Sequence, residues 1–596
     1  MVSIAEDGMT LEHIPVLIVG GGGAGLTASA ALSRLGIESV LVNALPTTSV
    51  LPKAHVVNQR AMEVLRELGI AGAVYRQGTP PEHMRATAWY AGFGGNRRNA
   101  GRLIARMQSW GAGGQDPYWA LASACPSTNL PQIRLEPIMR RRAEELAPGR
   151  VRFAHELTDF SNDSEGVTAV VDDKTKGTEY KIRAQYMLAC DGGKTVGPKL
   201  GIALDGPRNL AREVSIHMSA DLSRWCGDPD VLIRWIWHPE TGSLGVLVPM
   251  GPDHWGPHSE EWVYHLNYPS DDPRALDDAR VEADMRAALG IADHPVTIHC
   301  ISRWALEGVV AARFREGRIF LAGDAAHRHP PTGGLGLNSA INDVHNLTWK
   351  LAAVIKGYAG ADLLDSYEPE RRAVAAQNVQ RSVENALNQF GFREVLGLDP
   401  EAGAEANWKQ LDRLFGEQPE DVAHRRKILR AIASQSMEFN EHNVEYGFSF
   451  SSNAIVSEQT AMPAPDAVRV YTPSTRPGAP LPHADLEDAD GVSRPLMDLV
   501  SPGHFLLIAG ENGEQWCDAA KSVAKDLDVP LEAVRIGHIE GDYRDPRCAW
   551  LRQRGISDQG AVLVRPDRVV AWRSLEAVSN ATSVLESVLL KILGRS

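Results

Sequence analysis

An α/β fold organised around a dinucleotide-binding domain is what this sequence predicts. Two blocks far apart in the chain and a strand-rich stretch between them carry the prediction. The first block is an all-apolar run, Val16-Leu17-Ile18-Val19, followed at once by Gly20-Gly21-Gly22-Gly23-Ala24-Gly25. The second runs from Gly323 to Lys356. There a strand over Arg318 to Leu321 ends in Gly323-Asp324, a loop of prolines and glycines follows, and a long helix is expected from near Asn338. Between the blocks, Val214 to Met218, Val231 to Trp237, Gly245 to Pro249 and Trp262 to Asn267 alternate or carry aromatics, as strands of a second sheet would.

In the first block, a strand buried on both faces explains the unbroken apolar run. Gly20, Gly22 and Gly25 satisfy GxGxxG, a helix over Leu26 to Leu35 closes at Gly36, and Glu38 to Val42 reads as a second strand. That order is the signature of a Rossmann-type unit. Its glycines permit a tight turn, close approach of backbone to a pyrophosphate, and close helix packing. The acid expected at the end of the second strand, where a ribose is held, is replaced by Asn43, which can still exchange hydrogen bonds with a hydroxyl. In the second block, the unpaired N–H groups and positive dipole at the helix start suit negative charge on a ligand.

Downstream, His55 to Arg66 is a loop entering an amphipathic helix, Asn129-Leu130-Pro131-Gln132 precedes another helix from Leu135, and Ala189-Cys190-Asp191-Gly192-Gly193 ends a strand. Ala361 to about Ser457 reads as helical. A proline-rich linker from Met462 to Pro482 then leads to a separate C-terminal domain of alternating strands and helices. His327 and His329 have no further Cys, His or acid cluster at ligand spacing, so a structural role is expected and no metal.

Composition bounds the function classes. At 596 residues the chain has room for two to four domains of roughly 150 residues each. A formal net charge of −14 argues against nucleic acid, whose phosphates need a cationic surface. The six cysteines form no CxxC pair, which fits a reducing, cytoplasmic compartment and excludes thiol redox chemistry in the C-terminal domain. No apolar run approaches the roughly 18–20 residues of a membrane span, and a soluble protein is expected.

The glycine block, the Asp191-Gly192 strand end and the Gly323-Asp324 loop together resemble the single-component FAD-dependent aromatic hydroxylases, the class of para-hydroxybenzoate and phenol hydroxylases, nearest the phenol and dichlorophenol members. The resemblance covers nearly the whole chain. It implies a discontinuous, glutathione-reductase-like FAD domain over 12–205 and 300–400, an interleaved substrate-binding β-sheet domain over 206–299, a helical extension over 401–460 and a thioredoxin-like domain over 461–596. Carried over residue by residue, it implies that Gly20, Gly22 and Gly25 cradle the FAD pyrophosphate, with Asn43 near the adenosine ribose. Arg60 and Gln132 would flank the cofactor, Asp191 would relate to both FAD and the nicotinamide donor, and Asp324 would bind the ribityl or ribose hydroxyls. Backbone N–H groups around Gly336, Leu337 and Asn338 would face the flavin ring, and a carbonyl at Pro331 would lie near substrate and flavin.

The implied reaction is hydroxylation of an electron-rich ring by a flavin C4a-hydroperoxide, using NAD(P)H and O2 as co-substrates. A phenol, with an unperturbed pKa near 10 like that of tyrosine, must share its proton to become reactive. His55 stands where phenol hydroxylases carry an acid that contacts the substrate hydroxyl, and it is the candidate for that proton transfer. Trp235, Trp237, Trp304 and Met218 are candidate pocket-lining residues. A homo-oligomer is expected. A flavin-dependent dehydrogenase without oxygen insertion, or a non-catalytic FAD-binding protein, remains open at this point.

Overall fold

The computed structural model describes residues 2–4, 10–458 and 468–595; Met462 to Ala467 of the expected linker lie outside them. The first sheet has a parallel core. Thr10–Val19 pairs with Ser39–Asn43 on one side and Thr178–Ala189 on the other, and Ile319–Leu321 and Val151–Phe153 extend the two edges. Ala189 is level with both Val19 and Leu321, and Val19 with Val42. Four strands from distant parts of the chain therefore end on one line. Just beyond it lie Gly20, Asn43, Asp191 and Gly323, the crevice at strand ends where open α/β sheets take their ligands.

The second sheet runs Thr297–Ala305, Arg212–Ser219, Glu261–Tyr268, Ser243–Gly251, Val231–His238, Ala86–Ala91, Arg102–Gln108. Its last two strands precede the expected 206–299 boundary, because Ala86–Ala91 adds in parallel beside Val231–His238. Alternation gives the sheet two faces. The cross-strand row Trp235, Val246, His265 and Ser215 fixes one of them. Val214, Ile216 and Met218 point the other way, into a core closed by the helix Asp278–Leu289.

The C-terminal domain pairs Phe505–Ala509 in parallel with Leu531–Gly537 and antiparallel with Ala561–Val564, which is followed by Val570–Ser574. The domain is not an appendage on a linker. Its Phe505, Trp516 and Leu585 share one apolar core with the first sheet, and Phe505 meets Trp349 edge-on at 5.7 Å between ring centres. The turn Arg565–Arg568 enters the helices Gln59–Glu67 and Tyr367–Leu396. Arg565 pairs with Glu370 at 2.6 and 2.9 Å, Arg568 with Glu67 at 2.6 Å, and the Asp567 carbonyl accepts from Arg60 at 2.7 Å.

Burial pushes the carboxyls of Glu213, Glu438 and Glu445 up to about 8. Unfolded glutamates titrate at about 4.3, so between these values the folded chain holds more protons and its stability falls as pH rises. Glu67 behaves oppositely. Burial would raise it, but Arg568 and His345 outweigh burial and bring it to about 2, so its contribution is present above the unfolded value and disappears as pH drops toward 2. Melting temperature should therefore peak in mildly acidic solution, and Glu438→Gln should flatten the decline between about pH 5 and 8.

Candidate active site

The glycine block is shaped by contacts that no side chain would survive. A Cβ on Gly25 would lie 1.9 Å from the Gly20 carbonyl oxygen, and one on Gly20, whose φ is +113°, would lie 2.2 Å from the Cys190 carbonyl oxygen. A Cβ on Gly23 would meet Leu337 at 2.6 Å, and one on Gly323 would touch both Ala24 and Ala340 within 3.3 Å. The structure thus brings the three motifs into direct contact. Asn43 Oδ1 accepts from Gly21 N at 3.0 Å and steadies the loop. Gln132 donates to Glu136, whose other oxygen accepts from Ser49 N at 2.7 Å. Glu136 carries no recognisable motif and escapes a sequence reading.

Two helix N-termini open onto this edge, Gly23–Arg34 and Leu335–Ile355, neither with a side-chain cap or an acid in its first turn. The second starts at Leu335, a turn earlier than expected, because Gly334 takes a left-handed φ of 68° and ends the loop itself. Asp324 stands exposed at the same edge. Behind it, buried Asp343 accepts from Gly323 N at 3.0 Å, His327 at 2.6 Å and Arg371 at 2.8 Å, so the Gly-Asp turn is anchored from inside. His329, in the same loop, has both ring nitrogens buried without a hydrogen-bond partner among the described residues. Glycine cradle, uncapped helix ends and an orphaned imidazole fit a bound dinucleotide carrying a polar ring system.

Above this edge lies the sheet face that carries Trp235. His265 Nδ1 is 2.9 Å from Ser215 Oγ and 3.5 Å from Glu213, and Trp304 Nε1 donates to the same Ser215 oxygen at 3.2 Å. Trp235 stacks on Trp89 at 6.3 Å and donates to Thr87 at 3.0 Å, while Trp237 packs against Phe392. Between face and loop runs the short strand Val56–Val57, paired with Thr128–Asn129. Asn338 ties it down, accepting from Asn58 N at 3.0 Å and donating to Val56 O at 3.1 Å. His55, at the head of this strand, places Nδ1 2.6 Å from Asn129 Oδ1 and is close enough to His265 for burial and the two rings' mutual repulsion to hold His265 down at about 3.

Four of the expected site residues are engaged as follows. Met218 is buried on the opposite face of the sheet, because strand alternation separates it from Trp235. Arg60 donates to Glu63 at 2.7 Å and to the Asp567 carbonyl of the C-terminal domain, and it lines a cavity with Leu335 and Asn338 at the start of the helix Leu335–Ile355. The Pro331 carbonyl accepts from Gly334 N at 2.9 Å and serves the turn. Asp191 accepts from the N–H groups of Gly193, Thr195 and Val196, which closes the turn leading into the short helix Val196–Lys199.

A family model described as FAD binding domain matches residues 13–382, and one described as aromatic-ring hydroxylase, C-terminal, matches 474–596. The chain belongs to the FAD-dependent aromatic-ring hydroxylases. The hydroxylase is 33% identical to a 2,4-dichlorophenol 6-monooxygenase of Cupriavidus pinatubonensis, over 98% of this chain and 97% of that one. It is 32% identical to a phenol 2-monooxygenase of a Pseudomonas species, over 98% and 95%. Among solved structures it matches the flavin-dependent monooxygenase PieE in complex with FAD and substrate, with TM-score 0.90, 36% identity and coverage of 98% and 99%. This hydroxylase is a flavoprotein monooxygenase.

Gly22 offers a clean test of the cradle in the hydroxylase. A Cβ there would meet its nearest atom, Glu136 Oε1, at an ordinary 3.5 Å, so Gly22→Ala leaves the fold intact. It intrudes on the space a pyrophosphate needs. FAD affinity, measured by flavin fluorescence on reconstitution, should fall by at least about tenfold, or about 1.4 kcal/mol. Gly25→Ala should instead leave little soluble protein.

Proposed function

We propose that the enzyme hydroxylates a phenolic or similarly electron-rich ring, taking electrons from NAD(P)H and oxygen from O2. The observation that carries this reading is the position of His55. It stands at the head of a strand that Asn338 of the helix Leu335–Ile355 pins and that packs on the aromatic sheet face, near enough to His265 for the two rings to interact. The chemistry that FAD supplies when bound is hydride acceptance from the nicotinamide and activation of dioxygen. The chain's residues do the rest. Gly20, Gly22 and Gly25 would hold the pyrophosphate, Gln132 would flank the cofactor, Asp324 would hold its sugar hydroxyls, and the N–H groups at Gly336, Leu337 and Asn338 would favour negative charge on the ring.

His55 accepts the phenol proton. Burial holds its pKa below the usual 6.5, against the raising effect of its hydrogen bond to the Asn129 oxygen, so the imidazole is neutral at pH 7. Trp235, Trp89, Trp110 and Phe439 form the dry wall of the roof. The C-terminal domain is read as thioredoxin-like, on its parallel pair flanked by an antiparallel pair with the helices Glu514–Leu527 and Ala581–Ile592. A homo-oligomer is part of the same reading.

The test is a screen of phenols, including phenol and 2,4-dichlorophenol, for stimulated NAD(P)H oxidation under isotopically labelled dioxygen. Label in a ring hydroxyl supports the reading. Flavin reduction without incorporation would make the protein a dehydrogenase, and a flavin never reduced by NAD(P)H would make it a binding protein.

A further inference from the structure

Asn129 is fully buried, and its side chain is committed at both ends. Its Oδ1 faces His55 Nδ1 at 2.6 Å, and its Nδ2 donates to Thr79 Oγ1 at 2.7 Å. The backbone repeats the lock, since Thr79 N donates to the Asn129 carbonyl at 2.8 Å. An amide oxygen can only accept, so in this arrangement His55 Nδ1 must carry the proton and Nε2 keeps the lone pair. We propose that Asn129, held by Thr79, is a positioning residue that fixes the tautomer and ring orientation of His55, leaving Nε2 as the base for the substrate hydroxyl. The inference rests on the hydroxylase reading above and adds a residue that acts through His55 without touching substrate.

The choice of an amide has a consequence. A carboxylate at this position would hold the same tautomer but stabilise the imidazolium, whereas the neutral amide orients the ring without charging it. The other groups facing His55 are few. The strand Glu261–Tyr268 presents His265, held neutral by burial, and behind it Glu213 is kept protonated at pH 7 by burial. The helix Leu335–Ile355 presents the neutral Asn338 to this strand, and the paired strand Thr128–Asn129 presents Asn129. On its own element the nearest charge is exposed Lys53.

The experiment uses the FAD-loaded full chain and phenol or 2,4-dichlorophenol, and reads product formed per NAD(P)H consumed as a function of pH. In the parent enzyme, hydroxylation should fall on acidification through one protonation. Asn129→Asp should move that acid limb up by at least about one pH unit, because an anion now sits against the ring. FAD content and flavin reduction should be unchanged. Asn129→Leu should move the limb down and lower the product yield per NAD(P)H by about tenfold or more. Thr79→Val, which leaves the amide free to turn over, should lower the yield without moving the limb upward. An acid limb in Asn129→Asp that coincides with the parent's would overturn the proposal. Should that variant lose FAD, an unchanged yield in Thr79→Val would overturn it as well. A parent enzyme that reduces flavin but never hydroxylates would instead defeat the hydroxylase reading, a result distinct from either.

Discussion

Replacing His55 by alanine should lower product formation by about a hundred- to ten-thousand-fold, the usual range for a positioned general base, while flavin reduction by NAD(P)H stays within a few-fold. The split follows from geometry. His55 is held by Asn129 and by the strand that Asn338 pins, and these hydrogen bonds lie outside the glycine loop Gly20–Gly25. Electrons should therefore still enter the flavin and be lost to oxygen without ring hydroxylation. Stopped-flow reduction rates and product yields, measured on the same preparation, give the two numbers. Unchanged turnover at every pH would remove His55 from the mechanism.

The largest stability effect should come from Arg565→Met. Arg565 lies fully buried between Glu370 and Asp567, and Glu370 also receives Lys350 at 2.8 Å and Asn346 at 2.7 Å. Burial would raise Glu370, but Arg565 and Lys350 together hold it well below the usual carboxylate range. Burial brings Lys350 down to about 8 despite Glu370. Removing Arg565 strands two carboxylates with one weakened cation. Stranding a buried charge costs about 3–5 kcal/mol, which should appear as a clear fall in the urea midpoint. Adding Glu370→Gln to Arg565→Met should recover part of it. A midpoint equal to the parent's would mean that water or rearranged side chains already compensate the pair.

The site was legible in the sequence wherever function acts on the backbone. Gly20, Gly25 and Gly323 must be glycine because a Cβ would strike a neighbouring carbonyl or helix, and such constraints leave fixed spacings that can be read without a structure. His55 was singled out in the sequence because it stands a short, fixed distance before a helix. Asn129 and Asp343 were not. Each acts through a partner 74 or 16 residues away, and nothing local marks an Asn or Asp that will be buried against a histidine.

Side-chain direction was the other blind spot. Met218 and Trp235 both sit in plausible strands, yet the register among four strands puts them on opposite faces, and register is a pairing property of the assembled sheet. Nothing local to Arg60 showed that the fold would bring the turn Arg565–Arg568 across some five hundred residues of chain to meet it.

By itself, then, the sequence determined the α/β architecture, the dinucleotide cradle and the class of chemistry, because glycine geometry and apolar periodicity act over a few residues. The tertiary structure alone decided which face of the sheet lines the site, how His55 is oriented, and that the C-terminal domain is built into the catalytic core. Those depend on burial and on ion pairs between segments hundreds of residues apart, whose strength exists only once folding has excluded water from them.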